Sequence, residues 1–157
     1  MSVVEQLLAA WDKLSATAEG RAAFDQQLGQ MAPYTGSIQP HVLELAPGHA
    51  VVAMDDLPDL RNHLDSLHAV ALMNLGEVSS GLAMLAGLPH DARAILVGLN
   101  IEYHKKARGR LIACSDCDII DSNAEARVAV EAQLKDEQGD AVATVTAHWA
   151  VGPTPTP

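Results

Sequence analysis

The sequence predicts an α+β fold, in which an antiparallel sheet of about six strands wraps around one long central helix. Residues 67–86 are apolar or small at almost every position, as expected of a helix buried on all sides. Two strand-like segments precede this stretch and four follow it. The connections between successive strands are too short for parallel crossovers, so the sheet is predicted to be antiparallel. The chain of 157 residues has the length of one domain.

The amino-terminal extension, residues 1–36, is predicted to form two helices that dock on the main domain at 37–151. Gly20 is expected to separate the helices, and Pro33 with Gly36 to end the helical region. Apolar residues recur at steps of three and four, which is typical of a helix packed on one side. These positions are Val3, Val4, Leu7, Leu8, Trp11 and Leu14, followed by Phe24, Leu28 and Met31.

A β-hairpin is predicted next, with strands at 38–46 and 50–54 joined by Pro47, Gly48 and His49. A polar loop at 55–65 leads to the central helix, for which Asp65 and Ser66 are the predicted N-caps. Gly87 is the predicted end of that helix.

The central stretch is expected to be buried in protein rather than in a membrane. Glu77 divides it into two charge-free runs that are too short to span a bilayer. After it, four segments alternate like strands, and we expect an antiparallel meander. They cover 94–105, 110–116, 125–135 and 141–151. The proline-rich residues 152–157 are predicted to be a flexible tail.

Charge and cysteine content exclude several classes of protein. Twenty acidic and ten basic residues give a net charge of -10, which argues against nucleic-acid binding. The amino terminus has no basic start or cleavage site of an export signal, so a cytoplasmic protein is expected. The two cysteines, Cys114 and Cys117, lie in a strand-like stretch that sends them to opposite faces. No metal site is predicted from this pair.

One motif gives the sequence a specific resemblance. Asn62, His68 and Glu77 are spaced by six and nine residues, and Ala69 follows the histidine. This pattern resembles the hot-dog-fold acyl-CoA thioesterases of the phenylacetate-pathway type, in which Asn precedes His-Gly and an acid follows nine residues later. It is most similar to a less characterised branch with Asn-His and His-Ala. The resemblance covers residues 37–151 in element order, and the motif covers 62–84.

The resemblance implies hydrolysis of an acyl-CoA thioester without any cofactor beyond the coenzyme A of the substrate. It implies that the Ala69 amide polarises the thioester carbonyl and that Glu77 is nucleophile or general base. Asn62 and His68 would then orient water and substrate. This chain has alanine at position 69, where many members of the family have glycine. It has glutamate at position 77, where that subgroup commonly has aspartate. Independently, the amides of a helix's first turn suit a developing oxyanion.

The spacing of His68 and Glu77 predicts a dimer. Nine helical residues correspond to about 900° of rotation and roughly 13.5 Å of rise, so the two side chains face opposite directions. If both act on one thioester, the acid comes from a second subunit. We therefore expect an obligate homodimer with composite sites, and leave open whether dimers pair into a homotetramer.

Further residues are candidates for binding coenzyme A. Four cations lie within six positions and form a candidate phosphate-binding site. Alternatively, they are the exposed charges of a solvated hairpin, or they protect the edge of a strand from pairing. They are Lys105, Lys106, Arg108 and Arg110. His63 is included as typical of the resembled branch. Ser80, one turn after Glu77, is a candidate hydrogen-bond donor to its carboxylate or to the attacking water.

Other interpretations of these residues stay open. Taken alone, Glu77 fits a structural role better, in an ion pair or as a cap of a backbone group. Asn62 alone fits a turn residue, and His68 a satisfied core or capping histidine. Two other functions also fit this fold. One is a non-catalytic acyl-CoA-binding protein, which the alanine at position 69 keeps open. The other is an acyl-thioester hydratase or dehydratase, whose His-Phe-Pro loop is absent from the sequence.

Overall fold

The computed structural model describes residues 2–155. The helices are α1 (Val3–Leu14), α2 (Ala18–Met31), a short α3 (Pro33–Gly36) and α4 (Ala69–Ala86). The strands are β1 (His41–Ala46), β2 (His49–Met54), β3 (Ala92–Tyr103), β4 (Leu111–Asp116), β5 (Ala126–Lys135) and β6 (Ala141–Pro153). One 3₁₀ turn, Pro58–Leu60, lies in the loop before α4. The predicted α+β class, with six strands and one long helix, is confirmed.

The six strands form one antiparallel sheet in the order β1-β2-β4-β5-β6-β3. The simple meander predicted for the last four strands is wrong for β3, which pairs with β6 at an edge while β4 pairs with β2. Residues 104–110, the crossing loop, carry the chain past the start of β6, where the His104 and Lys105 amides donate to the Val142 carbonyl. Strand alternation alone carries no information about which strand is the neighbour.

Helix α4 packs against the inner face of the sheet, and its side chains form the centre of the core. Leu72, Leu75 and Met84 are each at most 2% exposed. The helix is long and apolar enough to span a membrane by length and composition, but 72% of it is buried inside the protein. It is therefore the core helix that the sequence predicted.

The start of α4 differs from the prediction. The helix begins at Ala69, and His68 is the N-cap instead of Asp65 or Ser66. The reason is a tertiary contact: Leu67 forms an antiparallel bridge with Arg61, and its amide donates to the Ala107 carbonyl. These bonds keep residue 67 extended, so the helix starts two residues later. Gly87 is the C-cap, as predicted.

Helix α4 lies so close to β6 that residue 76 has to be glycine. A Cβ at Gly76 would overlap the Val145 side chain, with Val145 Cγ1 only 2.8 Å away. We expect Gly76→Ala to lower the free energy of unfolding by about 2–3 kcal/mol, because Val145 sits in a fully packed core and has no room to retreat. Denaturant unfolding measures this. Gly152→Ala is the control, since its Cβ would meet Glu125 at an ordinary 3.7 Å; equal losses in both variants would contradict the packing argument.

The amino-terminal helices break at a different place from the one predicted. Helix α2 starts after Thr17, whose side chain accepts from the Gly20 amide. Gly20 is thus inside the helix, and it is required because a Cβ there would overlap the Leu14 carbonyl. Trp11 of α1 and Phe24 of α2 make an edge-to-face contact, with their ring centroids 5.1 Å apart. Met31, predicted to be in the apolar stripe, is 61% exposed.

The carboxyl-terminal strand is longer than predicted. In β6, Pro153 pairs with Ala92, and the Thr154 amide donates to the Asp91 carbonyl. The first residues of the predicted flexible tail are therefore held by β3. The rest of that prediction, at 156 and 157, lies outside the described residues.

Candidate active site

The loop before α4 is organised by Asn62. Its side-chain oxygen accepts from the Leu64 amide at 2.9 Å and from the Ser66 hydroxyl at 3.2 Å. The main-chain N–H of Asn62 donates to the Ser66 carbonyl. The structure therefore gives Asn62 the turn-forming contacts of the structural interpretation, and the turn delivers the chain to the start of α4.

His68 caps the helix with its ring. Nδ1 accepts from the Val70 amide at 3.0 Å, so in the neutral ring the proton is on Nε2. The residue is exposed and lines a cavity of about 390 Å³ together with Tyr34, Arg61 and Asn74. A donor N–H on an exposed ring is available to a ligand.

Ala69 is the first residue of α4, and its amide is the unused donor of the first turn. The Val70 amide is capped by His68 Nδ1, and those of Ala71 and Leu72 bond to the His68 carbonyl. Within residues 2–155, the Ala69 N–H has no hydrogen-bond acceptor, and the residue is exposed. The carbonyl of Ala69 accepts from the Tyr103 hydroxyl at 3.0 Å. An unpaired N–H at the positive end of a helix favours a developing negative charge.

A cleft of about 360 Å³ opens beside this amide, between α4 and the crossing loop. We call it the amino-terminal cleft. It brings together four of the predicted site residues, Asn62, Ala69, Lys105 and Lys106. Tyr103 also borders it, and its ring is half exposed. Sequence reasoning placed Tyr103 only as a strand residue, because nothing local shows that its hydroxyl reaches α4.

Glu77 is half-buried on α4, on the same side of the helix as Met73 and Val70. Burial raises the pKa of its carboxyl group. Among the described residues, none forms an ion pair or hydrogen bond with this carboxylate. The structural ion pair considered from sequence is therefore absent from this part of the chain. Ser80 donates to the main-chain carbonyl of Glu77 at 3.0 Å. It does not donate to the Glu77 carboxylate, which was one of the two acceptors predicted, the other being the attacking water.

Gly81 and Trp149 lie beside the Glu77 carboxylate. A Cβ at Gly81 would lie 3.9 Å from Glu77 Oε1 and 3.3 Å from Trp149 Cζ2. The Trp149 ring is buried in the core, and its N–H has no partner in the part of the chain that the structure describes. Glu77 thus stands on an apolar surface, one that disfavours the charged carboxylate.

The basic residues do not form a free patch. Lys105 Nζ bonds to Asp136 at 2.6 Å and Asp140 at 2.8 Å, which raises the pKa of the lysine. Arg110 pairs with Asp55 at 2.9 Å. Arg108 donates to the Leu64 and Asp65 carbonyls.

Lys106 differs from these three cations. In residues 2–155, Lys106 alone among the four has no hydrogen bond or ion pair. His63 is exposed and, over the same range, has no such partner either. The candidate cation at the cleft is therefore Lys106, with Lys105 fixing the loop beside it.

Solved structures that resemble this chain establish its fold. A structural-genomics protein designated APC5556 is 28% identical and covers 98% of this chain and 100% of its own, with a TM-score of 0.83. PA5026 of Pseudomonas aeruginosa, named a probable thioesterase, is 22% identical over 80% of this chain and 91% of its own, with a TM-score of 0.74.

The phenylacetic acid degradation protein PaaI of Thermus thermophilus, solved as a point mutant, is 22% identical. It covers 75% of this chain and 97% of its own, with a TM-score of 0.63. The predicted resemblance is thus confirmed at the level of the hot-dog fold. No curated protein matches the chain in sequence. Residues 20–151 match the family described as a domain of unknown function, DUF4442, and the chain belongs to that family.

Proposed function

We propose that this protein hydrolyses an acyl-CoA thioester to the free acid and coenzyme A, in the cytoplasm. The observation that carries the proposal is the half-buried Glu77 carboxylate, which has no partner among the described residues and stands on an apolar helix. A half-buried carboxylate without a partner costs stability, and such groups are concentrated at functional sites. The names of the structural neighbours, which include probable thioesterases, support the same chemistry.

The reaction needs a hydrogen-bond donor for the carbonyl oxygen and a base for the attacking water. The Ala69 amide donates to the carbonyl oxygen of the thioester, which becomes an oxyanion as the tetrahedral intermediate forms. Glu77 takes a proton from water, the water oxygen bonds to the carbonyl carbon, and the C–S bond breaks. The sulfur then receives the proton and leaves as the thiol of coenzyme A. The raised pKa of Glu77 makes its carboxylate a stronger base than an exposed glutamate.

A direct attack by Glu77 through an anhydride is the second route. A single turnover in ¹⁸O-water tests this route, because water that attacks the Glu77 carbonyl carbon of the anhydride leaves solvent oxygen on the Glu77 side chain, which the water route never does. Mass spectrometry of the peptide containing residue 77 provides the readout.

Each active site is proposed to use two subunits. Ala69 and Glu77 lie eight residues apart on α4, roughly 12 Å along the helix axis, which is too far for one carbonyl to contact both. Strand β3 offers a surface for a second copy: it is a sheet edge and exposes Ile95 and Val97, each about half. An exposed apolar edge strand favours pairing with another strand. A homodimer brings the acid of one subunit toward the amide of the other.

Lys106 is proposed to contact the phosphates of coenzyme A at the amino-terminal cleft. We expect Lys106→Ala to raise KM for an acyl-CoA about 5- to 20-fold, corresponding to one lost charge-assisted contact. Turnover of the matching acyl-pantetheine, which lacks the nucleotide, should stay unchanged. Lys135→Ala, an exposed lysine on β5, is the control. An equal rise in KM for both substrates would place Lys106 elsewhere in the mechanism.

A panel of acyl-CoA thioesters tests the function itself. Release of free thiol with production of the acid is the expected result. Saturable binding without thiol release would instead identify an acyl-CoA-binding protein. Loss of enoyl absorbance from a 2-enoyl-CoA, again without thiol release, would identify a hydratase.

A further inference from the structure

A second cluster of reactive side chains lies on the outer face of the sheet, away from α4. In the β2–β4 ladder, His49 is directly opposite Asp116 and Val51 is opposite Cys114. Residues two apart on a strand share a face, so His49, Cys114 and Asp116 project from the same side. Their neighbours Ala50 and Ser115 are buried on the inner side. The strands themselves therefore hold these three side chains together.

The three side chains present one nitrogen, one sulfur and one oxygen within 4.8 Å of one another. His49 Nδ1 is 2.6 Å from Asp116 Oδ1, and Cys114 Sγ is 3.7 Å from Asp116 Oδ2. His49 Nε2 is 2.9 Å from Glu44 Oε2 on the neighbouring strand β1. His49 and Cys114 are half-buried, and the two acids reach solvent.

The short contact between His49 and Asp116 needs a positive charge. In a neutral ring whose Nε2–H donates to Glu44, the lone pair of Nδ1 would face the lone pairs of Asp116. A cation between the two atoms removes this repulsion. A metal ion there satisfies both atoms and adds the sulfur of Cys114.

We propose that His49 Nδ1, Cys114 Sγ and Asp116 bind one Zn²⁺ ion, with Glu44 as the carboxylate that orients the imidazole. Nitrogen, thiolate and carboxylate ligands are those of tetrahedral zinc, and three protein ligands leave the fourth position to water. The carboxylate–histidine–metal arrangement is the usual outer support of a histidine ligand. On binding, the ion displaces the protons of His49 and Cys114. The site joins β1, β2 and β4 and is independent of the proposed hydrolase site.

Titration of the full-length chain with Co²⁺, under a non-chelating reductant, tests the site optically. We expect one Co²⁺ per chain, with a near-ultraviolet sulfur-to-cobalt charge-transfer band that Zn²⁺ abolishes by competition. Cys114→Ser should remove the band. Cys117→Ser is the matched control and should keep it, because Cys117 packs toward the core instead. Glu44→Gln should weaken Co²⁺ binding about 10- to 100-fold.

Two outcomes overturn the site. One is the absence of a charge-transfer band at millimolar Co²⁺, which would leave His49 as a hydrogen-bond partner of Asp116 and Glu44 only. The other is a band that persists in Cys114→Ser, or is lost in Cys117→Ser. Neither outcome affects the proposed hydrolysis, because the readout involves no thioester.

Discussion

Glu77→Gln is expected to lower kcat/KM for acyl-CoA hydrolysis by about 10³-fold or more, since an amide neither accepts the proton of water nor attacks the carbonyl. The side chains are nearly isosteric, so the surroundings of α4 should not change. Thiol release under steady-state conditions measures the effect. Glu125→Gln, an exposed glutamate outside the strands, is the control and should keep full activity. A Glu77→Gln variant with more than a tenth of wild-type activity would remove Glu77 from the mechanism.

The same variant should be more resistant to unfolding at neutral pH. Burial raises the pKa of Glu77 above its ordinary value of 4.5, so the folded state favours the protonated acid. Its contribution to stability is present below the unfolded-state pKa and is lost as pH rises through the higher folded-state pKa. Glutamine is never charged and avoids this loss. Thermal unfolding at pH 4 and pH 7 should therefore show a gain that is larger at pH 7, and a less stable variant at pH 7 would point to an unseen partner of the carboxylate.

Activity should fall on the acid side over the same range. The proposed hydrolysis uses the carboxylate form of Glu77, so kcat/KM is expected to decrease as pH falls through the raised pKa of this group.

The second large effect is expected at the Ala69 amide. Ala69→Pro deletes one N–H at the first helical position, where proline is well tolerated. The preceding residue, His68, already has the extended backbone that proline requires, with φ -64° and ψ 138°. Loss of one oxyanion donor should lower kcat about 10²- to 10³-fold. Ala69→Gly keeps the N–H and is the control. Unchanged turnover in Ala69→Pro would show that the thioester carbonyl binds elsewhere.

These two variants together test the composite site. In a dimer of one Glu77→Gln and one Ala69→Pro chain, the wild-type Ala69 amide of the first chain faces the wild-type Glu77 of the second. After unfolding and refolding an equal mixture, about a quarter of wild-type activity should return, because half of the dimers contain one intact site. If both groups act within one chain, no site is intact and no activity returns.

Local signals predicted the elements of this fold, and long-range contacts decided the rest. The apolar run of α4 and the turn at Gly48, which has φ +76°, are properties of short stretches, so both were predictable. The N-cap was not, because the bond from the Leu67 amide to Ala107 joins distant parts of the chain. The same applies to the position of β3 beside β6.

The candidate site also combines features that the sequence predicted with contacts that only the fold reveals. The spacing of Asn62, His68 and Glu77 was visible in the sequence, as was the burial of the acid. The partners of Lys105 were not, because Asp136 and Asp140 follow it by more than thirty residues. Periodicity and spacing do not encode such pairs. Four clustered cations therefore look alike until the fold shows that, within the described range 2–155, Lys106 alone is unpaired.

The ion pair of Lys105 ties the rim of the amino-terminal cleft to the β5–β6 turn. Asp136 is almost completely buried there, and it also accepts from the amides of Gln138 and Asp140. The ion pair therefore joins the turn to the loop that carries Lys106. Substitutions at residue 136 are therefore expected to weaken the substrate binding proposed for this cleft, although Asp136 itself does not line it.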